Sequence, residues 1–174
     1  MADQNLVLAI FDDEAAADAA VESLKVWDAN TLYVTLGAVG VLVADEYGNI
    51  KEHKLGARSS KKGAGIGLVL AIIAPPTLLA GIVGGGLLGH FHHKGLGLSA
   101  ADRDRLGTEL TGGKAAVGVL AMDDEAKIIA DELARLGGAA EVHEVSDEAI
   151  EAAAAAAPAD AEPAAPDTDA PATA

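Results

Sequence analysis

The stretch Leu8-Ala-Ile-Phe-Asp-Asp-Glu-Ala15 recurs, 111 residues further on, as Val119-Leu-Ala-Met-Asp-Asp-Glu-Ala126. Each copy reads as an apolar run of strand length, an acidic helix start and the first turn of a helix. The carboxylates accept from the free N–H groups of that turn and sit at the positive end of the helix dipole. Apolar residues at helical spacing follow: Ala17, Val21 and Leu24 in the first copy, Ile129, Leu133 and Leu136 in the second. Gly137-Gly138 supplies the stop of the second helix.

Outward from the first copy, Ala38 to Asp45 is short, apolar and β-branched, and reads as a buried strand. Glu46-Tyr-Gly-Asn49 turns the chain into Ile50 to Leu55, a charged strand suited to a sheet edge. After the second helix, Ala139 to Val145 gives another strand. The order is β-α-β with an extra edge strand, a long insertion, and β-α-β again. Two such units pairing into one antiparallel sheet, with helices on one face, predict an α+β fold: a ferredoxin-like split βαβ sandwich. Its expected span is residues 1–146, interrupted by an insertion over 56–114. Within that insertion Ser99-Ala-Ala-Asp102 reads as a capping box opening a short helix toward Leu110. Residues 147–174 contain Ala, Pro and acid but no Lys or Arg, and read as a disordered tail. An Ala-rich helix from Glu148 to Ala157 would stand alone there.

The insertion carries an apolar hairpin over 63–93. From Gly63 to Phe91 there is no Asp, Glu, Lys or Arg, Pro75-Pro76 breaks the middle, and Gly81, Gly85 and Gly89 repeat at every fourth position. Gly63 and Gly67 give a shorter stripe of the same spacing. Such a stripe lets helix backbones approach closely and pack by dispersion. Each arm is roughly 18–20 Å of helix, short of the about 20 residues that a membrane crossing needs. Joining both flanks to one sheet requires the insertion to enter and return on the same side. Arg58, Lys61 and Lys62 before it, and Lys94 with His90, His92 and His93 after it, make both mouths basic and suited to an anionic leaflet.

Composition removes several function classes. A net charge of −15 repels phosphate backbones, and no basic cluster is interleaved with aromatics, so nucleic acid is not an expected partner. Aromatics form only 3% of the chain, which argues against a deep ring-lined cleft. The absence of cysteine leaves no disulfide, thiolate nucleophile or Cys-based metal site. Met1-Ala2-Asp3-Gln4-Asn5 has no basic n-region, so nothing there addresses the chain for export.

Taken together, the strand-Asp-Asp-Glu-Ala-helix opening, Val41-Leu-Val-Ala-Asp-Glu-Tyr-Gly-Asn-Ile-Lys51, the glycine-rich insertion and the closing Leu106-Gly to Ala115-Ala-Val-Gly-Val-Leu120 stretch resemble a bacterial family. It is the set of predicted membrane proteins called domain of unknown function 1269, with the likeness covering about Leu6 to Ser146. A weaker likeness is to bacterial general stress proteins with a glycine-rich insertion. The resemblance implies membrane association and a role in envelope stress, and it brings no catalytic residue.

Among candidate sites, His90, His92 and His93 are imidazoles of the kind that bind zinc, copper or nickel. They are consecutive or two apart and lack a nearby carboxylate, so polar anchoring at an interface is the better reading. Asp12-Asp13-Glu14 and Asp123-Asp124-Glu125 suggest Mg²⁺ or acid–base chemistry, yet their position at helix starts makes capping the stronger account. Gly84-Gly85-Gly86 lacks the ending of a phosphate loop. Trp27 and Tyr33 are expected to pack beneath the first helix. No cofactor motif or small-molecule substrate is identified. The reading is a non-enzymatic membrane-associated or self-assembling protein at the cytoplasmic face, oligomerising through Gly63, Gly67, Pro75, Pro76, Gly81, Gly85 and Gly89, with lipid as partner. The alternative is a cytoplasmic binding module for an apolar ligand, with the hairpin as lid or tunnel.

Overall fold

Strands β1 (Gln4–Phe11) and β4 (Ala115–Met122) are apolar along both of their faces, and this dictates the layering. A strand buried on both sides needs cover on both sides. In a computed structural model, which describes residues 4–48, 50–53, 68–73 and 98–156, that cover is helical. The remaining elements are α1 (Glu14–Asn30), β2 (Val39–Ala44), β3 (Ile50–His53), α2 (Leu68–Ile73), α3 (Ala100–Thr111), α4 (Asp123–Arg135), β5 (Ala139–Val145) and α5 (Asp147–Ala156).

The fold is α+β. One antiparallel sheet has the order β3-β2-β4-β1-β5, with the two repeat-bearing strands paired at its centre through Leu6↔Leu120, Val7↔Val119 and Leu8↔Gly118. Val7, Ala9, Phe11, Val117 and Val119 face one apolar layer, closed by Ala17, Val21 and Leu24 of α1 and Ala126, Ile129 and Leu133 of α4. Leu6, Leu8, Leu42, Ala116 and Leu120 face a second, closed by Val69, Ile72 and Ile73 of α2, Leu106 and Leu110 of α3, and Ala149 and Ala153 of α5. The expectation of helices on one face is therefore corrected: the inserted segment and the C-terminal helix supply a layer on the other.

Residues 147–156, placed in the expected tail, form the Ala-rich helix α5, and it does not stand alone: its Ala149 and Ala153 are buried against the second layer beside α2. Alanine gives this helix no bulky face to announce itself, but small side chains let it lie close to an apolar neighbour. Local signals read from the sequence recur here. Ser99 caps α3 in a full capping box with Asp102, and α4 ends in a Schellman turn. In that turn Gly138 N donates to Leu133 O at 3.0 Å, and Gly137 takes φ +100°.

The two acidic starts are not equivalent. Asp13 is the N-cap of α1, its carboxylate accepting from Ala16 N at 2.7 Å. In the second copy the helix begins at Asp123 itself, and Met122 occupies the N-cap with no side-chain bond. Ala17 and Leu24 consequently play the packing roles of Ala126 and Leu133, two residues out of step with the sequence repeat. The second acidic triplet acts through the helix dipole rather than by capping.

Candidate functional site

On the second face of the sheet, α2 lies directly over β4. The six residues Leu68–Ile73 bury Val69 to 1%, Ile72 to 3% and Ile73 to 1% exposure. Gly118 makes the approach possible, because a β-carbon there would overlap Val69 Cγ1 and stand 3.6 Å from Ile73 Cδ1 and 3.7 Å from Leu6 Cδ1. Val69 is β-branched and stiff within a helix, so it could not swing aside. Leu98, where the described chain resumes, is buried in the same layer. α2 thus belongs to the first arm of the expected 63–93 hairpin and packs on the chain's own sheet, which corrects the expectation that this part of the arm is free for lipid or another subunit; Leu98 lies on the same face.

A polar cluster lies between α3 and β5. Arg105 makes a two-pronged bond to Glu141, with Nη1 donating to Oε1 at 2.7 Å and Nη2 to Oε2. That hydrogen bond is the main reason the Glu141 carboxyl is held below the usual carboxylate range, and it raises the Arg105 guanidinium in turn. Asp102, 3.5 Å from Arg105, is lowered first by its hydrogen bond from the Ser99 hydroxyl. His143 Nε2 lies 3.5 Å from Glu141 Oε2, too far for a good hydrogen bond, and is buried without a hydrogen-bond partner among the described residues. Arg105 and Asp102 spend their donors and acceptors on structural partners. The cluster clamps α3 to β5.

The first acidic start caps a helix, and the second has partners of its own. Asp123 Oδ1 accepts from the buried Asn5 Nδ2 at 2.9 Å, and Glu125 Oε1 accepts from Thr35 N at 3.1 Å. These bonds aim the two carboxylates at different elements, and no group of metal-ligating residues occurs among the described residues. Trp27 packs against the first layer, whereas Tyr33 is 72% exposed, which corrects its expected place beneath α1.

The remaining sequence candidates lie outside the described residues: Gly63, Gly67, Pro75, Pro76, Gly81, Gly85 and Gly89, the basic Arg58, Lys61, Lys62 and Lys94, and His90, His92 and His93. Among the described residues no helix is long and apolar enough to cross a membrane. Sequence reasoning passed over Gly118, although a lone glycine inside an apolar strand signals close approach of another segment. It also passed over Arg105 and Glu141, for which no local pattern exists; they are distant in sequence and meet only through the fold. Compared with known proteins, the chain matches no family model, no curated protein and no solved structure.

Proposed function

We propose that this is a non-enzymatic membrane-associated or self-assembling protein, a rigid α+β domain that holds an apolar glycine-rich insertion by both ends. The observation that carries the reading is the burial of Val69, Ile72, Ile73 and Leu98 in one layer on one sheet face. An insertion fastened this way leaves and returns on the same side, as a hairpin dipping into lipid or into an assembly interior does. The frame is ferredoxin-like in this proposal. Support comes from the order β2-β4-β1-β5, from the two β-α-β units, and from α1 and α4 sharing a face. Membership of the resembled family, and the stress role it implies, belong to the same proposal.

The test is membrane fractionation with a carbonate wash, followed by sizing with and without detergent. Retention in the washed membrane, or a large species that detergent shrinks, supports the reading. A monomer that stays wholly in the soluble fraction contradicts it.

One observation favours a second reading, a binding module for an apolar ligand: α2 rests on its own sheet, above Leu6, Leu8 and Leu42. That protein would be monodisperse without detergent and would carry lipid through purification.

A further inference from the structure

The two edges of the sheet are built differently. The β3 edge is short, and its exposed Lys51 is tied to Asp45 at 2.9 Å, the charged, abbreviated form that discourages pairing. The β5 edge is seven residues long and holds no proline, lysine or arginine. Its outer side has no strand partner among the described residues. At its centre stands Val142, 45% exposed.

We infer that the β5 edge is the interface for a second copy of this chain, the two β5 strands pairing antiparallel about a two-fold axis at Val142. The register follows from the sequence Ala139-Ala-Glu-Val-His-Glu-Val145. A two-fold perpendicular to the sheet keeps each residue on its own face, so the axis must pass through a residue position. With the axis at Val142, the midpoint of the strand, every residue of β5 is paired. Val142 meets Val142 of the other copy, Glu141 meets His143, Ala140 meets Glu144, and Ala139 meets Val145. An axis at Glu141 sets like charges opposite each other, and an axis at His143 sets Val142 against Glu144 and strands one end.

Cross-strand neighbours of opposite charge and of matching apolar character stabilise a sheet, while like charges oppose it. The central register sets valine against valine, places no like charges opposite each other and leaves no residue of β5 unpaired. It also brings a second carboxylate near His143, whose Nε2 is buried without a hydrogen-bond partner among the described residues of its own copy. The layer under α1 and α4 would run continuously across both copies, with Val142 covered at the seam. This contact is separate from the glycine-rich insertion and does not depend on it.

The chain has no cysteine, so one introduced thiol reports one contact. Purified full-length V142C, held in detergent and oxidised mildly, is expected to run as a covalent dimer on a non-reducing gel. Y47C, at the exposed turn beside β3, is the control and is expected to stay single. Sedimentation of the unaltered chain is expected to show a reversible dimer, and V142K to raise its dissociation constant at least about tenfold by opposing two ammonium groups. Circular dichroism confirms that each variant is folded. Three results would each overturn the inference: V142C crosslinking no better than Y47C, an unaltered chain that stays monomeric while V142C remains uncrosslinked, or V142K dimerising as well as the parent.

Discussion

Val69 of α2 stands over Gly118 of β4 so closely that a single β-carbon on the glycine would overlap the valine methyl. The relationship turns an insertion into a structural layer, since a helix seated on the central strand shields Leu6 and Leu120 from water.

Gly118→Val should therefore force α2 from its seat and destabilise the domain by about 1–3 kcal/mol, the usual cost of overpacking. Gly118→Ala combined with Val69→Ala should recover much of the loss of Gly118→Ala alone. A double-mutant cycle by urea denaturation measures the coupling. Additivity of the two changes would show that the residues do not touch.

Ile73→Ala and Ile129→Ala probe the two apolar layers separately. Each should cost about 2–4 kcal/mol, because each removes a fully buried side chain from a packed layer. Both variants should still unfold in one cooperative transition. A loss under about 0.5 kcal/mol for Ile73→Ala, the range of surface substitutions, would make α2 an appendage.

Asn5 is 3% exposed and holds Asp123 at the start of α4. Asn5→Ala should cost about 1–3 kcal/mol, as expected for a hydrogen bond to a charged group in a buried setting. Asn5→Asp, which sets two carboxylates together, should be worse at neutral pH and should recover partly on acidification. Thermal melts at two pH values distinguish these outcomes.

The Arg105–Glu141 pair sets a pH dependence whose sign follows from the lowered Glu141 carboxyl. A depressed carboxylate contributes fully above the ordinary glutamate range, and its contribution fades as pH falls through the lowered value. Stability should thus decline on acidification, and Glu141→Gln should flatten that part of the profile. With Glu141 40% exposed the effect is screened, on the order of 0.5 kcal/mol, and should shrink further in high salt.

The sequence carries the local elements well because their signals are local. Ser99 with Asp102 announces α3, and Gly137-Gly138 ends α4 and sets off the short segment Ala139 to Val145 that forms β5. That α2, α3 and α5 share one layer was not legible, for the opposite reason. Leu68–Ile73 is apolar all round, so no periodicity tells which side faces a sheet, and α5 is alanine on nearly every side. The repeated Asp-Asp-Glu misled through its own regularity, since identical letters begin α1 and α4 two residues apart in packing register. For the candidate site, the residues marked by composition lie outside the described part of the chain. Those that meet there, Gly118 with Val69 and Arg105 with Glu141, are long-range pairs that one sequence cannot join.

Ala149 and Ala153 of α5 pack in the layer that covers α2, and they lie far downstream of it in the chain. During synthesis, residues 68–73 leave the ribosome long before residues 147–156 follow. From the emergence of residues 115–122 until then, α2 has a bed but no blanket, and a bilayer, a chaperone or another nascent chain competes for it. Ribosome-bound chains arrested before residue 147 should therefore capture apolar surfaces more readily than full-length chains do. The choice between folding inward and inserting elsewhere would then be one of timing.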